Sequence, residues 1–190
     1  MRQLGRTAIG LLLVSSVVAA QDKPSERVNP DAKLIAEFQE RVKKYLELHK
    51  DLEKGPADIK ETNDPAKIKS AQDALAARIR SARPQAKQGE IFTLETAALF
   101  RRLMSPEVKG KEGADTKQAM KEDAPAPKSV ALKVNARYPD SQPLPTMPPN
   151  ILASLPRLPE QLEYRVIGRN LILRDVPANL IVDFIPNAIK

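Results

Sequence analysis

Three side chains near the carboxyl terminus have the type and spacing of a cation site. Asp175, Asn179 and Asp183 follow one another at intervals of four residues. On a helix they would share one face, and their oxygen atoms could bind a divalent cation. In an extended segment, Asp175 would end a hairpin, Asn179 would serve a turn, and Asp183 would point to solvent between apolar neighbours. We favour this second, structural interpretation.

Other kinds of catalytic chemistry lack the residues that they need. The chain has one histidine, His49, and no cysteine, so neither a cluster of soft metal ligands nor a nucleophile beside a base can be assembled. His49 lies among apolar residues at helical spacing, where a packed histidine is more common than a ligand. Gly110 and Gly113 lie in a charged stretch, which is not the context of a phosphate-binding loop. We predict no catalytic, cofactor-binding or metal-ligating residue, and no cofactor.

The first twenty residues have the three parts of a secretory signal peptide. Arg2 and Arg6 give a basic start, residues 8–14 are apolar, and residues 18–20 are small. The apolar run is shorter than the roughly 20 residues that a membrane-spanning helix needs, and without cysteine no lipid anchor can form at the new amino terminus. We predict cleavage near Ala20 and a periplasmic or secreted mature protein.

The charge of the chain is mildly basic. Removal of the signal peptide lowers the formal net charge from +7 to +5, because it takes away two arginines and no acid. Acidic and basic residues are interspersed, which favours a solvated surface with a weak attraction to anionic surfaces. Nucleic-acid binding is not expected, because the protein is exported and its basic residues are not interleaved with aromatic ones.

The first predicted helix spans residues 30–54. Asn29-Pro30-Asp31 is typical of a helix start, and Gly55-Pro56 of a stop. Its mostly apolar positions recur every three or four residues and form one seam, of the kind that packs against another helix: Ile35, Phe38, Val42, Tyr45, His49 and Leu52.

Two further helices follow. Asp64-Pro65 opens the second, which Pro84 interrupts late and Gly89 ends. Thr93 caps a short third helix that runs to Met104, before Ser105-Pro106. The amino-terminal half is thus predicted to be a helical hairpin with a short third helix.

The middle of the chain is expected to be poor in regular structure. Residues 105–128 are charged and nearly lack large apolar side chains, which predicts a disordered linker. The alternation of Val130, Leu132 and Val134 predicts a strand. Residues 139–159 contain seven prolines and predict an extended strap with one helical turn at 151–155. Such a strap either lies over the protein's own core, which we favour, or docks into a partner.

A β-hairpin is the clearest pattern near the carboxyl terminus. With Gly168-Arg169 as a two-residue type II′ loop, Val166 faces Leu171, Tyr164 faces Leu173, and the charges of Glu163 and Arg174 pair. Residues 180–185 are apolar and β-branched, and the run is too short to distinguish a third strand from a helix.

The order of these segments resembles a group of uncharacterised exported bacterial proteins. The resemblance is carried by Lys87-Gln88-Gly89-Glu90-Ile91-Phe92-Thr93 between the helices, and by the run from Leu162-Glu163-Tyr164-Arg165 through Gly168-Arg169 to Asp175 and Asp183. It implies export, and it brings no activity, cofactor or catalytic residue with it.

The predicted fold class is α+β, in four parts. Residues 1–20 are the signal peptide, 21–104 the helical region, 105–128 the linker, and 129–190 the Pro-rich and β region. Because the helical seam and the β edge offer apolar surface, we predict a non-enzymatic envelope binding or adaptor module whose partner is another envelope protein or a second copy of itself.

Two other functions remain open from the sequence. One is a periplasmic holdase that grips unfolded chains with its helices. The other is a hydrolase that uses Glu163, Asp175 and Asp183 as a carboxylate site, with or without a divalent cation.

Overall fold

The computed structural model describes residues 29–54, 63–122, 124–125 and 129–189. Within them, five α-helices accompany one three-stranded antiparallel sheet, which confirms the α+β class. The predicted signal peptide and the helix stop at Gly55-Pro56 lie outside the described residues. No helix in the described part of the chain is long and apolar enough to cross a membrane.

The first three helices begin where their capping residues predict. α1 spans Pro30–Glu53, α2 spans Pro65–Ala82 and α3 spans Leu94–Met104. Asn29, Asp64 and Thr93 each accept a hydrogen bond from a backbone N–H of the first turn. The end predicted for α2 was wrong: the helix stops at Ala82, because the residue before a proline is disfavoured in the helical conformation.

A fourth helix replaces most of the predicted linker. α4 spans Gly110–Glu122 and follows a short 3₁₀ turn at Pro106–Val108. The prediction of disorder was wrong here because a few buried contacts are enough to order this segment. The buried residues are Val108, Gly113 and Met120. A Cβ atom on Gly113 would lie 2.3 Å from the backbone carbon of Val108, so the absence of a side chain permits this close approach.

The Pro-rich strap lies over the protein's own core. Its helix, α5, spans Pro149–Ser154 and overlaps the turn predicted at 151–155. Met147, Ile151 and Leu155 belong to the main hydrophobic core. The strand predicted from Val130 to Val134 does not form; instead, Val130 and Leu132 pack on the sheet as irregular chain.

The carboxyl-terminal sheet has the predicted hairpin and a third strand. β1 spans Leu162–Ile167, β2 spans Asn170–Asp175 and β3 spans Leu180–Ile185, in the order β1-β2-β3. The register pairs Val166 with Leu171, Tyr164 with Leu173 and Glu163 with Arg174, as predicted. Gly168 has a φ of 60°, the positive value that the first loop position of a type II′ turn requires.

Both faces of the sheet are covered. One face packs against the helices in the main core, and the other carries a smaller cluster with Val130 and Tyr138. An irregularity in the pairing of β2 with β3 lies between Leu173 and Arg174. The extra residue is Val182 of β3, and an extra residue shifts the alternation of side chains along its strand. As a result, two successive residues are buried: Val182 lies in the main core, and so does the side chain of Asp183.

We expect Gly113→Ala to lower the free energy of unfolding by about 1–3 kcal/mol, the usual cost of overpacking, although alanine is the better helix former. Thermal denaturation followed by circular dichroism measures the effect. Gln118→Ala, at an exposed position of the same helix, is the matched control and should change stability little. Equal stability of the two variants would contradict the close packing of α4 on Val108.

Candidate functional site

A buried carboxylate at the end of β2 is the main polar feature of the core. The Tyr45 hydroxyl donates a 2.6 Å hydrogen bond to Oδ2 of Asp175, and Nδ1 of His49 lies 2.6 Å from the same oxygen. Oδ1 of Asp175 accepts a 2.8 Å hydrogen bond from the backbone N–H of Ala178. Tyr45 and His49 are four residues apart on α1 and therefore share one face, so a single carboxylate ties α1 to the sheet.

The electrostatics of this cluster follow from its burial. Asp175 is 0% exposed and His49 is 2% exposed. The hydrogen bond to Asp175 raises the pKa of His49 above its usual value, although burial alone would lower it. Burial, reinforced by the negative charge of Asp175, raises the pKa of Tyr45. The tyrosine therefore stays protonated and acts as a donor.

One ring nitrogen of His49 has no partner within the described residues. Nε2 is buried and makes no hydrogen bond, and the nearest acidic oxygen is Oε2 of Glu53 at 3.9 Å. A proton on Nε2 would therefore face a carboxylate across a short gap. The arrangement suits a charged imidazolium held between Asp175 and Glu53.

A second buried aspartate fixes the loop between α2 and α3. The carboxylate of Asp183 accepts hydrogen bonds of 2.8–3.0 Å from four backbone N–H groups, those of Gly89, Ile91, Phe92 and Phe184. Burial raises the pKa of Asp183, and these four donors lower it in part. The loop 87–93 is thereby held on the sheet, with Thr93 in place to cap α3.

The loop also shapes a polar groove beside α1. Arg83 lies 5.0 Å from the centre of the Tyr45 ring and forms a 2.9 Å ion pair with Glu90. The groove has a volume of about 440 Å³, and three acidic and three basic side chains line it. Because these charges balance, the groove has no evident preference for an anion or a cation.

The residues nominated as a cation site do not form one. Asn179 lies in a turn, with φ 49°, and its side-chain oxygen accepts hydrogen bonds from Arg174. Asp175 ends its strand as predicted. The prediction that Asp183 points to solvent was wrong, because the pairing irregularity turns it into the core. Across the described ranges, no group of three or more histidine or acidic residues could hold a metal ion.

The carboxylates nominated for hydrolysis lie on different faces of the sheet. Glu163 pairs with Arg165 at 2.5 Å and with Arg174 at 2.6 Å, and its neighbours in sequence, Leu162 and Tyr164, point into the main core on the other side. Asp175 and Asp183 lie on the helical face. The structure therefore does not bring the three together.

A basic apolar groove lies between α1 and the strap. It is called here the strap groove and is formed by α1 residues between Phe38 and Lys50 together with Arg157 and Pro159 of the strap, with a volume of about 450 Å³. Arg157 also borders a second hollow of about 670 Å³, beside α5 and β1. Leu152, which is 49% exposed, lies at this second hollow.

No family model, curated protein or solved structure matches this chain. The fold and the site together define an α+β protein. Its two buried aspartates, Asp175 and Asp183, anchor the helical half to the sheet.

We predict that His49 makes stability depend on pH. Because its pKa is raised in the folded state, its contribution is complete below the unfolded value of about 6.5 and is lost as pH rises through the higher folded value. Each pH unit by which the pKa is raised corresponds to about 1.4 kcal/mol. Urea unfolding between pH 5.5 and 9 should show this decline in the wild type.

His49→Gln is the variant to compare, since glutamine cannot carry the charge. Its stability should lack the decline, so the two curves converge at high pH. Parallel curves for the two proteins across this range would show that His49 is not held as a cation by Asp175.

Proposed function

We propose that the protein is a non-enzymatic envelope binding module, and that the strap groove holds a segment of another exported polypeptide. The observation that carries the proposal is a groove with an apolar floor and a basic rim. Leu46 and Pro159 contribute the accessible apolar surface of the groove. Phe38 and Val42 also line it, but they are buried and form its base. A mixed floor and rim of this kind is typical of protein interaction sites.

The charges of the groove indicate the chemistry of the occupant. Lys43, Lys50 and Arg157 are basic, whereas Glu47 is the one acidic residue that lines it. Oε1 of Glu47 lies 4.0 Å from Nζ of Lys43 and forms an ion pair with it. Lys50 and Arg157 form no ion pair with any described residue. A segment that combines apolar and acidic side chains would complement this surface.

The binding surface differs from the predicted one. The sequence suggested either the apolar seam of the first helix or the edge of the carboxyl-terminal β element. Four seam residues are buried inside the molecule: Phe38, Val42, Tyr45 and His49. The seam is therefore used for folding. The outer side of α1 and the strap remain as the surface that a partner can reach.

The alternatives have less support. A hydrolase based on Asp175 and Asp183 needs carboxylates that a substrate can reach, and both are fully buried and hydrogen-bonded within the protein. A holdase needs a broad apolar surface, whereas Leu152 is one of only four large hydrophobic side chains that are exposed in the described part of the chain. The amino-terminal signal pattern supports a place in the envelope.

The test is site-specific photocrosslinking in the native host. A photoreactive residue at Gln39, in the strap groove, or at Leu152, in the adjoining hollow, should give the same dominant adduct with one envelope protein. Leu94 is the matched control, because it is 85% exposed and lines neither hollow. The crosslinked segment of the partner, identified by mass spectrometry, should contain acidic and apolar residues.

A charge reversal tests the role of the basic rim. Arg157→Glu should abolish the adduct at Gln39, whereas Lys87→Glu, at an exposed loop position outside both hollows, should leave it unchanged. Equal adducts at Leu94, or adducts that survive Arg157→Glu, would contradict the proposal. A broad ladder of unrelated adducts at Gln39 would instead favour a holdase.

A further inference from the structure

A separate basic hollow, distinct from the strap groove and from the hollow beside α5, lies where α4 meets the tip of the β1–β2 hairpin. It has a volume of about 360 Å³ and is called here the α4 cleft. Its apolar part comes from Met120 and Ile189, which are both buried, and from Ala124. Its polar part comes from Lys117, Lys121 and Arg169.

The charge of this cleft is unbalanced. The three basic side chains have no acidic counterpart among the lining residues, whereas the groove beside Tyr45 has three acids for three bases. Lys117 and Lys121 form no ion pair with any described residue, although ion pairs are frequent elsewhere on this surface, as at Lys33, Lys54 and Lys67. Close cations without a counter-charge repel one another, and a bound anion relieves that repulsion.

Helical spacing and one hydrogen bond position the basic groups. Lys117 and Lys121 are one helical turn apart on α4 and therefore project on the same side. Nε of Arg169 donates a 3.0 Å hydrogen bond to the carbonyl oxygen of Ile189, which fixes the guanidinium beside the cleft and leaves its terminal amino groups to bind an anion. Gly168 adds no side chain at the exposed tip, and a Cβ atom there would meet nothing within 4 Å.

We propose that the α4 cleft binds the phosphate headgroup of an anionic phospholipid at a membrane surface. The three cations attract the negative phosphodiester and the anionic headgroups around it, and the adjacent apolar floor matches the start of an acyl chain. This site is separate from the strap groove and shares no lining residue with it. Binding there would hold the exported protein on the membrane without a spanning segment.

The experiment is vesicle binding by the mature protein. Vesicles of phosphatidylglycerol and phosphatidylcholine in equal parts are compared with vesicles of phosphatidylcholine alone, in a sedimentation assay at low salt. Binding is expected to the anionic vesicles only, and to weaken as salt is added. Lys117→Gln/Lys121→Gln should weaken the affinity by roughly 30-fold. The loss of one lysine near an anionic surface weakens binding about five- to six-fold, and this variant loses two.

Lys109→Gln/Lys111→Gln is the matched control, because it removes the same charge from exposed positions that do not line the cleft. Its affinity should stay within about two-fold of the wild type if the cleft is the site. Arg169→Gln is a second variant that should also weaken binding, and unfolding temperatures check that each variant is folded. Equal losses in the cleft and control variants, or no binding to anionic vesicles, would overturn the proposal.

Discussion

The rest of the structure depends on the hydrogen bonds that two buried carboxylates of the sheet, Asp175 and Asp183, accept. An ionised carboxylate in the core is costly unless hydrogen bonds replace its hydration. Asp175 obtains them from Tyr45, His49 and Ala178, and Asp183 obtains them from four backbone N–H groups, three of which belong to the loop before α3. Because a partner left unpaired would cost free energy, each carboxylate fixes a distant segment of chain in one position.

This constraint explains the arrangement of the helices. α1 can satisfy Asp175 only when its seam faces the sheet, so Phe38 and Val42 enter the core together with Tyr45. There Phe38 stacks on Phe92, and their ring centres lie 5.6 Å apart. The ring centre of Phe38 also lies 5.0 Å from that of Phe100 in α3. The loop held by Asp183 supplies Phe92. The two carboxylates and this aromatic cluster therefore join the helical half to the sheet, and the outer side of α1 stays exposed.

Local patterns in the sequence predicted local structure well. Asn29, Asp64 and Thr93 marked three helix starts, and Gly168 with the pair Glu163 and Arg174 set the hairpin register. The sequence also placed Tyr45 and His49 on one face, but it could not show that Asp175, 126 residues after His49, would meet them. It missed α4 because that helix depends on a close contact between Gly113 and Val108, and it misplaced Asp183 because the pairing irregularity after Leu173 has no clear signal in a single sequence.

The central claim is that Asp175 holds His49 as a buried hydrogen-bond donor, and nuclear magnetic resonance of the imidazole tests it most directly. The chain has a single histidine, so its ring signals are unambiguous once the nitrogens are labelled with ¹⁵N. The account predicts a proton on Nδ1 with a low-field chemical shift and slow exchange with water, which persists above the pH at which a free histidine loses its charge. A rapidly exchanging ring that titrates like a free histidine would contradict the account.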